Sequence, residues 1–217
     1  MNVYVVTEGN ESEVYKSWIP LINPILSCAD QIELVDTNNF FIVSAGGYPN
    51  YFSVIENAIE DIKEHPKFSR LVIGVDSEDM TREDKYAEIQ EFVSRHTSEV
   101  DVRIVVQHFC FEAWCLGNRK IVRRNPNTRR LRDYKTVYDV RLLDPELLPD
   151  KLDEGLNRAQ FAAKYLRLAI QERHKQRTYD KNNNRVVSHP KYFDQVRKRC
   201  EETPHIASFS SFLEAFS

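Results

Sequence analysis

Through the first half of the chain, short apolar runs alternate with stretches in which apolar residues recur at helical intervals. Asn2–Thr7 (NVYVVT) is a β-branched run that reads as a strand, and the helical stretch Glu13–Ile22 follows the polar segment GNESE. Ile32–Asp36 and Phe40–Ser44 read as two strands joined by a TNN turn, and Gly46-Gly47 then breaks the pattern. Phe52, Ile55, Ile59 and Ile62 predict a helix over Asn50–His65. Leu71–Val75 (LVIGV) is a continuous apolar run of the kind that forms a buried parallel strand. Thr81–His96 has helical spacing, with Tyr86, Ile89, Phe92 and Val93 on one side. Val102–Val106 predicts another strand, and Phe109–Leu116 turns into a helix. Strands alternating with helices of this length imply an α/β sheet, largely parallel and covered on both faces.

After Gly117 the pattern changes. Residues 119–135 (RKIVRRNPNTRRLRDYK) hold eight basic side chains and one acidic one, and read as two short strands or an extended loop. Leu142–Leu148 reads as a connector. Leu156–Arg173 is an amphipathic helix whose stripe is Phe161, Tyr165, Leu168 and Ala169. TYDKNNNR is rich in turn residues, Tyr192–Cys200 predicts a basic helix, and Ile206–Phe216 predicts another after Pro204. The expected organisation is an α/β domain over residues 1–116 and a basic, mainly helical region over 117–217.

Composition narrows the class. The 217 residues are 41% hydrophobic and 11% aromatic, enough to bury a full core. No apolar run approaches the roughly 20 residues of a membrane helix. The opening MNVYVVTEGNESE lacks the basic-then-apolar order of a signal peptide, so a cytoplasmic location and no membrane partner are expected. Cys28, Cys110, Cys115 and Cys200 form neither a C-x-x-C pair nor a zinc-type spacing with histidine, and read as reduced thiols. The net charge of −3 hides an asymmetry. Residues 1–110 carry 8 basic and 19 acidic side chains, and residues 111–217 carry 22 basic and 14 acidic ones. Such a split marks a polyanion partner or a metal site.

The acids of the first half recur where strands are predicted to end, and in an open α/β sheet ligands bind beyond the carboxyl ends of the strands. Glu8 ends the first strand, with Gly9, Glu11 and Glu13 behind it. Asp76, Glu78 and Asp79 end the LVIGV run, and Glu112 lies just past VRIVV. Carboxylates converging there repel one another unless a hard divalent cation neutralises them. Each also has a plainer role: Glu8-Gly9 as a turn with an exposed acid, and Asp79 or Thr81 as the cap of the helix near Arg82. Glu112 sits in an apolar context (HFCFEAWCL) and needs a partner, whether metal, arginine or hydrogen-bond donor. His108 fits a solvent-facing or structural histidine better than a base. No G-x-S-x-G, H-E-x-x-H, G-K-[ST] or G-x-G-x-x-G motif is present.

A strand followed by Glu-Gly, then a strand followed by Asp-x-Asp, is the pattern of the TOPRIM fold. That fold is shared by topoisomerases, bacterial primases and the nucleases of the overcoming-lysogenization-defect family. In V-V-T-E-G-N-E-S-E, Glu8 matches the motif glutamate. In V-I-G-V-D-S-E-D, Asp76 matches the first aspartate and Glu78 stands where the second is usual, so Glu78 or Asp79 is the next ligand. E-G-x-x-x-E, which brings in Glu13, together with F-E-x-W at Phe111, Glu112 and Trp114, resembles the RloB-type TOPRIM proteins of bacterial anti-phage defence clusters. The resemblance covers roughly residues 2–116. It implies a mostly parallel sheet flanked by helices and a Mg²⁺-dependent nuclease site, with Mn²⁺ as a substitute. Glu8 would be metal ligand or general base. Asp76 and Glu78, with Glu13 and Asp79 as further candidates, would hold the metal, and Glu112 would complete or orient the cluster.

Arg119, Lys120, Arg123, Arg124, Arg129, Arg130 and Arg132 then become candidate contacts to a nucleic-acid backbone, because phosphate neutralisation supplies most non-specific affinity. The alternative is that these arginines pair with carboxylates of the same molecule or of a partner protein. At the level of function the alternative is a non-catalytic nucleic-acid or protein-binding subunit of a defence complex, and a partner ATPase fits either reading. The fold by itself does not select the reaction.

Overall fold

The computed structural model describes residues 1–47, 50–96, 100–174 and 176–217. They group into two compact units: Met1–Val106 together with Ser211–Ser217, and Gln107–Ser210. The division falls ahead of Gly117, and the last seven residues join the first unit.

The first unit is built on five parallel strands in the order β2-β3-β1-β4-β5. They are β1 (Val3–Thr7), β2 (Ser27–Cys28), β3 (Asn39–Ser44), β4 (Arg70–Asp76) and β5 (Asp101–Gln107). The central strand β1 is buried along its whole length and pairs with β3 on one side and β4 on the other. Its β-branched VYVVT suits a strand packed on both faces. Helices α1 (Ser12–Ile22), α2 (Tyr51–Glu64) and α3 (Arg82–Ser94) connect the strands. Tyr4, Val6, Leu71, Ile73 and Val75 join Ile55, Ala58, Ile59 and Ile62 of α2 and Ile89 and Val93 of α3 in one core cluster. Alternate residues along a strand point to opposite faces. Gly74 accordingly meets α1: a Cβ there would lie 2.9 Å from the Tyr15 hydroxyl, so that position has no room for a side chain. The Phe212 ring packs 4.5 Å from that of Tyr15, tilted by 50°, and Asn23 and Arg70 donate to the carbonyls of Phe216 and Ala215. An α/β unit with a parallel sheet flanked by helices is what the alternating pattern predicts, and it is consistent with a TOPRIM-like fold.

Several expected elements differ. Ile32–Asp36 is not a strand: Ile32–Leu34 is a short 3-10 turn, and the edge strand is Ser27–Cys28. Ile32 and Val35, three residues apart, pack on the core while Glu33 and Leu34 are solvent-exposed, a spacing that suits a 3-10 turn and not a strand. On α3 the buried positions are Lys85, Ile89 and Val93, four residues apart, and Tyr86 is exposed.

The second unit is helical: α4 (Phe111–Leu116), α5 (Arg129–Val137), α6 (Arg158–Arg173) and α7 (Pro190–Glu202), followed by the first turn of α8 (Ser208–Phe216). Helix α6 starts on a capping box in which Asn157 and Gln160 satisfy each other's backbone groups. Residues 129–137, read from sequence as strand or loop, form α5 instead. Thr128 makes no side-chain cap there. The cap comes from α6, where Glu172 Oε2 accepts from the backbone N–H of Asn127 and Thr128, both at 2.9 Å. The four cysteines are free, and among the described residues no helix is long and apolar enough to cross a membrane.

Candidate active site

Glu8 is fixed at three points. Its N–H donates to the Gly74 carbonyl at 2.9 Å, its carbonyl accepts from Gly47 at 2.7 Å, and its Oε2 accepts from the Asp76 N–H at 3.0 Å. The first of these extends the β1–β4 ladder by one residue beyond the Thr7–Gly74 pair. The second uses Gly47 at φ +101°, a conformation open to glycine and strained for other residues. Ser44 and Thr7 donate to the Gly9 carbonyl at 2.8 and 3.2 Å, and Glu11 Oε1 accepts from the Gly9 N–H at 3.0 Å. The loop after β1 is therefore held by its own polar side chains, and the half-buried Glu8 and Asp76 lie at the ends of neighbouring parallel strands.

The other acids are placed differently. Glu78 is exposed and holds φ +50°, a left-handed conformation that a long side chain rarely adopts. Asp79 is exposed in the turn closed by Met80 N–H to the Ser77 carbonyl. It does not cap α3; Thr81 does, accepting from the Asp84 N–H at 3.0 Å. Glu13 pairs with Lys16 at 2.8 Å, its side chain 64% exposed. Glu112 belongs to the second unit, where it is buried and accepts from the Tyr179 hydroxyl at 3.0 Å. The partner its apolar context demands is thus a hydrogen-bond donor, and burial together with the Glu112 charge pushes the Tyr179 hydroxyl well above its ordinary pKa. Among the described residues no three His, Cys, Asp or Glu side chains gather as a metal-binding group.

One cluster in the first unit escaped the sequence reading. Lys85, 5% exposed, places Nζ 2.8 Å from Glu88 Oε2 and 3.3 Å from the Tyr51 hydroxyl. Burial pulls the ammonium down, but Glu88 and Tyr51 outweigh it and leave the lysine above its ordinary value. Burial pushes the Tyr51 hydroxyl up to about 12, against Lys85, with the charges of Glu88 and Glu8 adding to the rise. Tyr51 is therefore electrostatically linked to Glu8. The signal was the spacing of Lys85 with Ile89 and Val93, which puts the lysine on the buried face of α3.

In the second unit most of the cations of 119–135 have carboxylate partners. Arg119 reaches Glu202 at 3.7 Å, Arg123 reaches Glu172 at 3.6 Å and Arg129 reaches Asp133 at 3.9 Å. Arg130 reaches Glu154 at 2.7 Å and holds that carboxyl below its ordinary pKa. Lys135 reaches Asp139 at 3.5 Å and donates to the carbonyl of Arg124, and Arg132 donates to the carbonyls of Pro126 and Asn127. Lys120 and Arg124 are exposed.

Set against family models, curated proteins and solved structures, the chain matches none of them.

Proposed function

We propose that the protein is a Mg²⁺-dependent nuclease that hydrolyses phosphodiester bonds in DNA or RNA, with Mn²⁺ as a substitute metal. The observation that carries this reading is the pairing of Glu8 and Asp76 at the ends of adjacent parallel strands, with Glu8 bonded to the Asp76 amide. A hard two-carboxylate donor set fits Mg²⁺, which takes one or two carboxylates and fills its shell with waters and substrate phosphate oxygens. Glu8 and Asp76 would hold the ion, and the left-handed backbone at Glu78 favours it over Asp79 as a further contact, since strain of this kind clusters at functional sites. When bound, the metal supplies Lewis-acid polarisation of a phosphoryl oxygen. Glu8, fixed through its backbone and by the Asp76 amide, would serve either as a metal ligand or as the base that takes a proton from an attacking water. Exposed Lys120, Arg124, Arg129, Arg130 and Arg132 supply contacts to the phosphate backbone, and Arg119 and Arg123 complete that set. The TOPRIM and RloB-type resemblance supports a cytoplasmic role in anti-phage defence, alone or with a partner ATPase. A second reading, a nucleic-acid or protein-binding subunit without catalysis, is favoured by the dispersal of the candidate acids, with Glu112 engaged by Tyr179 and Glu13 by Lys16.

Incubation of the purified protein with DNA and RNA panels, with Mg²⁺ or Mn²⁺ and with EDTA, decides between them. Cleavage that EDTA stops, and that Glu8→Gln and Asp76→Asn abolish while circular dichroism is unchanged, is the expected result. Cleavage that survives EDTA overturns the metal, and absence of cleavage with retained binding selects the second reading. That binding should fall steeply between 50 and 200 mM salt if phosphate contacts carry it.

A further inference from the structure

One concavity of the second unit is lined by none of the paired arginines. It has a volume of about 580 Å³, within the size range of pockets that take small ligands. The segment after α4, the end of α6 and the start of α7 line it. Four permanent cations face into it, Lys120, Arg173, Arg177 and Lys191, with Asp194 as the acid among its lining residues. None of the four makes an ion pair among the described residues, in contrast to Arg119, Arg123 and Arg130. Four like charges gathered around one cavity repel one another, and a bound anion removes that cost. The walls add to the attraction, because low-dielectric surfaces focus the field of the charges they carry. Helix α7, of 13 residues, begins here with Pro190 at its first turn, so its positive dipole end points the same way.

The remaining lining is mixed: Asn118, His174, His189 and Gln195 are polar, and Ile121, Val186 and Tyr192 form an apolar wall. Ile121 and Tyr192 are buried and Val186 is half-buried. The Tyr192 ring is locked by its hydroxyl, which donates to the Cys115 carbonyl at 2.8 Å. A rigid apolar wall beside unpaired cations matches a ligand with a flat ring at one end and phosphate at the other. We infer that this cavity binds a phosphorylated ligand of nucleotide size, either a free nucleotide or the 5′-phosphorylated end of a strand, whose shared chemistry is a terminal phosphate beside a nucleobase. The assignment is independent of the carboxylates of the first unit, since it requires binding and no turnover.

Isothermal titration calorimetry on the full chain, in EDTA and low salt, tests it with ADP, with sulfate at matched ionic strength, and with a hexanucleotide bearing either a 5′-phosphate or a 5′-hydroxyl. ADP or the 5′-phosphorylated strand binding at least tenfold more tightly than sulfate is the expected outcome, weakened tenfold or more by Arg177→Ala with Lys191→Ala and unchanged by Lys63→Ala on α2 of the first unit. Both altered residues are exposed, and Arg177→Glu repeats the test with a single charge reversal. A preference for the 5′-phosphate over the 5′-hydroxyl strand assigns the strand end, and ADP binding without that preference assigns the free nucleotide. ADP and the 5′-phosphorylated strand binding no better than sulfate, or binding that these variants leave intact, overturns the assignment.

Discussion

Two charged regions of this protein stand out in the sequence, and folding treats them in opposite ways. Glu8 and Asp76 are 68 residues apart, yet the parallel register of β1 and β4 sets them side by side, joined through the Asp76 amide. The cations of 119–135 are contiguous, yet the fold disperses them among Glu202, Glu172, Asp133 and Glu154. Charge density along a chain says little about free charge in space, because carboxylates elsewhere in the sequence can return to meet it. Strand-end position says more, because sheet topology leaves few places for such a residue to go.

The largest expected effect separates the two regions. Asp76→Asn should lower metal-dependent cleavage by about a thousandfold, roughly 4 kcal/mol of transition-state stabilisation, with Asp79→Asn changing it only a few-fold, as measured by initial rates on one substrate. Next, Glu172→Ala removes both the remote cap of α5 and the partner of Arg123. Its side chain is only 4% exposed, so a loss of about 3 kcal/mol is expected in denaturant titration, and Arg123→Ala in the same background should then add little. A full additive loss would mean that Glu172 acts as a cap alone. Lys85→Met strips Tyr51 and the half-buried Glu88 of the buried donor they share while keeping the stem's volume, at an expected cost of about 2 kcal/mol. A neutral result would show that the cluster is not held by its charge.

The smallest expected effect is a pH dependence in the second unit. Burial and the Arg199 charge hold His205 below its ordinary pKa, so the unfolded chain binds its proton first as pH falls. The contribution is fully present above about pH 6.5 and is lost as pH drops through that value toward the folded pKa. A melting midpoint lower by no more than about 2 °C at pH 5.5 than at pH 7.5, and removed by His205→Gln, is the expected measurement.

Much of the first unit was legible because its signals are local. VYVVT, LVIGV and the Ile55–Ile62 spacing each report burial within a few residues, and the register that joins Glu8 to Asp76 follows from adjacent parallel strands. The start of α5 was not, because its cap is Glu172, some 45 residues away. The IELVD segment failed in the other direction, since the side chains it turns inward, Ile32 and Val35, are three residues apart and not two. Lys85 was passed over because a lysine at a core spacing reads as a surface residue until Glu88 and Tyr51 are seen around it. Glu112 was legible as a carboxylate in need of company, but the identity of its company, Tyr179, lies 67 residues further on.

The membership of residues 211–217 in the first unit also bears on how the protein is made. Phe212 packs on Tyr15 and Trp18, and Phe216 and Ala215 accept hydrogen bonds from Asn23 and Arg70. A ribosome therefore delivers every residue of the second unit before it delivers the last aromatic that covers α1. Although the strands are translated first, Tyr15 and Trp18 of α1 wait uncovered until synthesis has passed Phe212, and that interval is when nascent chains would be most dependent on a chaperone.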